Sequence, residues 1–387
     1  MHSLLDGGQV KNPPQIVMLS IHALGDTIMF LPTIREVSKS FSNSKITVLV
    51  RNRTIKEMLE LAKLPSNVLI YNLDDSNSWR FKLTSVRIFG SLLRFNRLNF
   101  LVLQKLTELR PDVTIAMTKL NNRLMPLMLK FSGSKITVGE SHGWGRYLLT
   151  HPVQTDLSAM RVLRNLSLLE AIDIPQPDKP DIRLYPTQDS IRRVVSLIKS
   201  VISRPPKISF AVAPCATLGQ RWRLWPCEYW AKLIKLLTQE FDSACFILGG
   251  SSKKDNQIAE QISERLPDQA SAYNLVGQLN IKDTIALMSV MDCICGIDCG
   301  LLHIAASVGT FVHAIWSVTQ IEHYPFTDKK QIITVQCQCK GNYPHNIKKE
   351  CLKKARCMEQ FLPEPAFEQI AKVWKTKDSK PKIAQYW

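Results

Sequence analysis

The sequence predicts an α/β protein of two Rossmann-like domains facing one another across a cleft. Two observations carry that expectation. Short β-branched runs alternate with longer stretches of helical period, the pattern of a parallel sheet joined by helices, and the alternation occurs in two successive series. A proline-rich polar join separates the series, and 387 residues exceed what one hydrophobic core normally serves.

The first series places strands at residues 15–20, 45–50, 67–71, 112–117 and 135–138, with helical stretches between them. Within it, residues 79–110 read as a basic amphipathic helix. Arg80, Arg87 and Arg94 recur every seventh residue, Phe81, Ile88, Phe95 and Val102 do the same, and Glu108 is the one acid. Such a helix suits docking on an anionic membrane or glycolipid, against the plainer reading of a packed helix with a solvated face. Residues 148–186 break the rhythm and close on IPQPDKPDIRLYP, a connection between domains. The second series places strands at 208–213, 244–248, 293–296 and 311–316, with helices at 228–240 and 254–265. The expected domains are therefore 1–180 and 187–360, with a C-terminal helix and tail over 361–387 that could pack back on the first domain.

Composition narrows the function classes. With 45% hydrophobic and 21% charged residues the chain is globular, neither disordered nor collagenous. A net charge of +17 favours partners that carry phosphate or carboxylate, although a generally basic surface gives the same sum. The start, MHSLLDGGQVKNPPQ, lacks the basic-then-apolar pattern of a secretory signal, and no run approaches the roughly 18 apolar residues of a membrane span, so a cytoplasmic protein is expected. All ten cysteines lie at or beyond Cys215, unlike the disulfide framework of a small secreted domain.

Four places could carry chemistry. In SIHALGDTIMFLPTIRE, Gly25 permits a tight strand-to-helix turn and Asp26 stands where the helix begins, as a helix cap or as an acid facing the ligand crevice. In APCATLGQRWRLWPCEYW, a small-residue loop leads through Arg221 and Arg223 to Pro226 at a helix start. That loop is a diphosphate cradle or a surface loop with two solvated arginines. In GIDCGLLHIAASVGT, a strand ends at Asp298, and Cys299 and Gly300 open a helix whose N-terminus offers amides and a positive dipole end to an anion; Asp298 could instead be only a cap and His303 only a core residue. In the tail, Cys337, Cys339, Cys351 and Cys357 could hold a metal, but the first pair is separated by one residue instead of the usual two to four.

In order along the chain, ALGDTIMFLPTIREV followed by KITVLV, PDVTIAM, AVAPCATLGQRWRLWP, FILGG, NLVGQLNIKDTIALMSVMDCICGIDCGLLHIAASVGT and CMEQFLPEPAFEQIAKVW resemble glycosyltransferase family nine, the heptosyltransferases. The resemblance runs from Ile16 to about Val373 and implies the GT-B arrangement of two Rossmann-like domains. It implies inverting transfer without metal or cofactor, from a nucleotide-sugar donor such as ADP-heptose to a lipopolysaccharide core or similar acidic glycan. By the same resemblance Asp26 matches the general base, with Gly25, Thr27, Arg87 and Arg94 toward the acceptor. Thr217, Arg223, Gly249, Asp298, Cys299, Gly300, Leu301, Leu302 and His303 fall to the donor. Peripheral contact with the inner face of the inner membrane is then expected, and no nucleic-acid partner. Three positions depart from the family pattern: Cys215 stands where glycine is usual, Cys299 where serine or threonine is, and Arg223 where lysine is. Transfer of another sugar such as N-acetylglucosamine, transfer of heptose to a protein, and a non-enzymatic basic nucleic-acid binder are the rival readings.

Overall fold

The computed structural model describes residues 13–75, 97–118, 125–140, 143–216, 221–317, 319, 321–336, 356–376 and 381–387, with the backbone alone at 86–88, 93–95, 143–144, 221 and 356. The chain divides into two compact units, Met1–Ile182 and Arg183–Trp387.

The first unit runs β1 (Ile16–Ser20), α1 (Leu24–Ser40), β2 (Ile46–Val50), α2 (Arg53–Glu60), β3 (Val68–Asn72), β4 (Val86–Ile88), β5 (Leu93–Phe95), α3 (Arg97–Leu109), β6 (Val113–Ala116), α4 (Met125–Lys130), β7 (Ile136–Glu140), β8 (His151–Val153) and α5 (Arg161–Leu166). Six of its strands form a parallel sheet in the order β3-β2-β1-β6-β7-β8. The central strands IVMLS and ITVLV are buried at every residue. A parallel sheet covered on both faces demands such unbroken apolar runs in place of alternation.

The second unit repeats the plan with α6 (Gln188–Val201), β9 (Ile208–Ala213), α7 (Cys227–Phe241), β10 (Ser243–Ile247), α8 (Lys253–Ser263), β11 (Ala272–Asn274), α9 (Ile281–Val290), β12 (Cys293–Ile297), α10 (Gly300–Ser307), β13 (Phe311–Trp316), β14 (Lys330–Thr334), α11 (Arg356–Gln360) and α12 (Pro363–Lys375). Its sheet order is β11-β10-β9-β12-β13-β14, again all parallel. Both units share one internal device. Asp112, just before β6, accepts from the Gln15 amide at 3.0 Å, and Asp292, just before β12, accepts from the Ser209 amide at 2.8 Å. Each carboxylate closes the amino end of the central strand pair, the edge opposite the ligand crevice of such sheets.

The helix expected over 79–110 is not what forms. Val86–Ile88 and Leu93–Phe95 pair antiparallel with Arg87 opposite Arg94, and the helix begins only at Arg97. β-branched Val86 and Ile88 favour a strand. Of the residues seven apart, Arg87 and Arg94 are partners in this register, whereas Ile88 lies opposite Leu93 and Phe95 opposite Val86. The short strands β8, β11 and β14 were not anticipated. They lie at or beside sheet edges and are largely half-exposed, so they lack the apolar run that marks a strand in sequence.

The C-terminal segment is anchored inside the second unit. α12 packs on α7, the Trp225 indole N–H donates to the Phe361 carbonyl at 2.8 Å, and the Lys382 amide donates to Asp292 at 2.8 Å. Trp374 on α12 donates its indole N–H to Nε2 of buried His313 at 2.7 Å, while His313 Nδ1 faces Gln331 Oε1 at 2.8 Å. An N–H aimed at Nε2 requires that nitrogen to be the acceptor, which fits a neutral ring with its proton on Nδ1.

Candidate functional site

In the first unit the sheet order reverses between β1 and β6, and ligands of open α/β sheets bind beyond the carboxyl ends of the strands at such a point. The turn from β1 into α1 lies there. Its N-cap is Ala23, whose side chain offers nothing to the helix, and Asp26 is the third helical residue; its Oδ2 accepts from the Ala23 amide at 3.3 Å. Asp26 therefore supplies the reciprocal half of a capping box, not the N-cap itself. It is 7% exposed. The turn is braced from within. Ser20 Oγ donates to Thr27 Oγ1 at 2.9 Å, and Thr27 Oγ1 donates to the Ala23 carbonyl at 3.3 Å. Thr27 and Gly25 are both buried, and the Thr27 hydroxyl is engaged inside the turn.

Arg87 and Arg94 stand opposite one another on the β4–β5 hairpin, which changes their setting from one helix face to a strand pair. A link that sequence reasoning missed lies close to Asp26. Buried Asn165 on α5 bonds both Thr118, just past β6, and the Met29 carbonyl on α1. Its sequence neighbourhood carried no signal, because the interval of 47 residues to Thr118 and 136 to Met29 is closed only by the fold.

In the second unit the equivalent reversal falls between β9 and β12. Two residues 75 positions apart meet there: Arg223 Nη1 lies 3.1 Å from Asp298 Oδ2 and donates to the Asp298 carbonyl at 3.3 Å. Both side chains are about nine-tenths buried, 11% and 9% exposed. Asp298 is thus an ion-pair partner, and the N-cap of α10 is Cys299, in extended conformation. Burial pushes the Cys299 thiol up to about 11, against the amides of Leu301 and Leu302, which pull it down. At neutral pH the thiol is then uncharged, and the charges beside the start of α10 are those of Asp298 and Arg223. Cys215, at the end of β9, is raised further, first by burial and then by Asp255.

Gly249 acts through size. A Cβ there would lie 3.2 Å from Cys215 Sγ and 3.3 Å from Val276, so the glycine lets the β10 end close on the β9 loop. Gly300 and Leu301 are half-buried at the start of α10, whereas Leu302 and His303 are buried. Thr217 lies outside the described residues, as do Cys337, Cys339 and Cys351; Cys357 on α11 belongs to the core of the second unit. Among the described residues no group of three or more His, Cys, Asp and Glu side chains is arranged to hold a metal, and no helix is long and apolar enough to cross a membrane. A buried guanidinium, a carboxylate and a helix N-terminus at one switch point can together receive an anion and orient hydroxyl groups beside it.

The family pattern of glycosyltransferase family 9 (heptosyltransferase) matches residues 104–355. The lipooligosaccharide heptosyltransferase 2 of Haemophilus influenzae is 29% identical over 236 residues, 57% of this chain, and the chain spans 65% of that protein's length. The lipopolysaccharide core heptosyltransferase OpsX of the same organism is 22% identical over 376 residues, 93% of this chain and 97% of that protein. Among solved structures, the ADP-heptose lps heptosyltransferase II of E. coli superposes with a TM-score of 0.68 at 18% identity, covering 94% of this chain and 100% of that one. That likeness speaks for the fold, two Rossmann-like units of the GT-B kind. With the family pattern covering well over half of its length, the chain belongs to glycosyltransferase family 9, the heptosyltransferases.

Proposed function

We propose that the protein is a cytoplasmic, inverting heptosyltransferase that moves heptose from ADP-heptose onto a lipopolysaccharide core, working at the inner face of the inner membrane. The observation that carries this reading is the meeting of Arg223 and Asp298 with the N-terminus of α10 at the β9–β12 switch point. A donor diphosphate needs a fixed cation and backbone amides, and a sugar needs a carboxylate to accept from its hydroxyls. Arg223, the amides from Cys299 to Leu302 and Asp298 supply these in turn.

Transfer is one displacement at the anomeric carbon. Asp26 takes the proton of the acceptor hydroxyl, the new oxygen–carbon bond forms on the face opposite the diphosphate, and the old bond breaks with its electron pair passing to the diphosphate oxygen. Inversion follows from that geometry. Charge growing on the leaving group is met by Arg223 and by the dipole of α10, so the step as drawn calls on no divalent ion. The net charge of +17 supports an acidic acceptor at a membrane surface, with Arg87 and Arg94 among the basic residues that would attract it.

The test is a panel of nucleotide-sugars offered to chelator-treated protein with lipopolysaccharide core acceptor. ADP-heptose should raise the melting temperature and be consumed, with an inverted anomeric centre in the product. Consumption of a different nucleotide-sugar would reassign the donor, and turnover restored only by added metal would refute the metal-free mechanism.

A further inference from the structure

Asn165 is fully buried and makes three hydrogen bonds that no local interaction would supply. Its Oδ1 accepts from the Thr118 amide at 2.9 Å and from the Thr118 hydroxyl at 2.7 Å, and its Nδ2 donates to the Met29 carbonyl at 3.1 Å. An amide N–H and a carbonyl on its two sides fix which end of the side chain is oxygen.

These bonds complete a ring around the switch point of the first unit. The Met117 amide donates to the Leu19 carbonyl at 3.3 Å, joining the ends of β6 and β1. β1 leads through Ser20, bonded to Thr27, into α1 and Asp26. Three residues after Asp26, and so on the same helix face, Met29 is tied by Asn165 back to Thr118. Pro32 lies in this stretch of α1, where it removes one intrahelical donor and crowds the Ile28 carbonyl, so the turn that carries Met29 lacks its full internal ladder. The Asn165 amide donates to the next carbonyl, that of Met29, and so ties this turn of α1 to the end of β6 from outside the helix. The neighbouring Arg164, ion-paired with Glu140 at the end of β7, secures α5 in the same layer.

We propose that Asn165 is a positioning residue for Asp26: it sets the distance between the end of β6 and the first turns of α1, and so the place from which the Asp26 carboxylate reaches the acceptor hydroxyl. This rests on Asp26 being the general base. A misplacement of about 1 Å in a reacting group costs on the order of 100-fold in rate.

The experiment is a double-mutant cycle read in turnover per folded molecule, with the donor and acceptor that the wild-type protein consumes. Asn165→Ala should lower kcat on the order of 10- to 100-fold with the KM for donor unchanged, and should cost little further in an Asp26→Asn background, because a residue that acts through Asp26 has nothing left to position. Thr118→Val, which keeps the shape and the amide but removes the hydroxyl donor, should show the same pattern at smaller size and serves if Asn165→Ala does not fold. Equal fractional losses with and without Asp26, or wild-type kcat in either variant, would overturn the positioning role. Wild-type turnover by Asp26→Asn would instead remove the general-base reading, a separate and distinguishable result.

Discussion

An aspartate at the third position of a helix can be there for the helix alone, since its carboxylate accepts the amide three residues back, as Asp26 does from Ala23. Asn offers the same acceptor, and losing the charge near a helix N-terminus costs about 0.3–1 kcal/mol. Asp26→Asn should therefore melt close to wild type and bind donor normally. If Asp26 is the base, its turnover should fall by roughly 100- to 10,000-fold. A folded variant with undiminished turnover would leave Asp26 a capping residue only. Arg223 invites a similar test with a different control. Because it pairs with buried Asp298, Arg223→Ala strands a carboxylate as well as removing the proposed phosphate ligand, whereas Arg223→Lys keeps the charge and loses the fork. Nucleotide-diphosphate affinity by calorimetry should weaken by about 1.5–3 kcal/mol in the alanine variant and less in the lysine one. Unchanged affinity in both would take Arg223 out of the donor site. The sequence placed both residues at sheet-edge turns but not their partners. That Asp298 pairs with Arg223 depends on a contact across 75 positions, which no local pattern encodes.

At the scale of elements, the buried strands were legible because a two-faced parallel sheet writes itself as apolar runs, and β1, β2, β9 and β13 fall within one residue of their expected bounds. The edge strands β8, β11 and β14 were not, since short half-exposed runs leave little hydrophobic period to read, although the longer edge strand β3 was expected at 67–71; the β4–β5 hairpin was read as part of a helix face. The approach of β9 to β12 illustrates what the elements demand of single residues. A Cβ on Gly296 would stand 2.9 Å from Ala213 Cβ, 3.0 Å from Leu302 Cδ2 and 3.1 Å from the Ala213 carbonyl oxygen. Two of those three atoms are fixed to the β9 backbone and cannot swing away. Gly296→Ala should thus force apart the strand pair that carries the candidate donor loops, at a cost of roughly 1–3 kcal/mol of overpacking. The check is the urea midpoint of the variant against wild type. An unaltered midpoint would mean that the pair spreads without strain.

At the scale of the whole molecule, each unit has its own hydrophobic core, the first around Val17, Leu19 and Leu49, the second around Phe210, Trp230 and Ile247. A ligand held by one unit should therefore stabilise that unit first. Binding to the native state alone adds RT ln(1 + [L]/Kd), about 2.7 kcal/mol at 100 times Kd, and amide exchange reports where that protection falls. If Arg223, Asp298 and the start of α10 hold the diphosphate, ADP without sugar should slow exchange of the amides at Ile297–Leu302 and of the flanking ends of β9 and β12 in the second unit. The β1–α1 turn around Asp26 should exchange as before if its proposed partner is the acceptor. Rising salt should erode the protection, since a large share of the attraction is between the diphosphate and Arg223. Protection centred on the β1–α1 turn, with Ile297–Leu302 unaffected, would place the nucleotide in the first unit and reverse the division of labour between donor and acceptor proposed here.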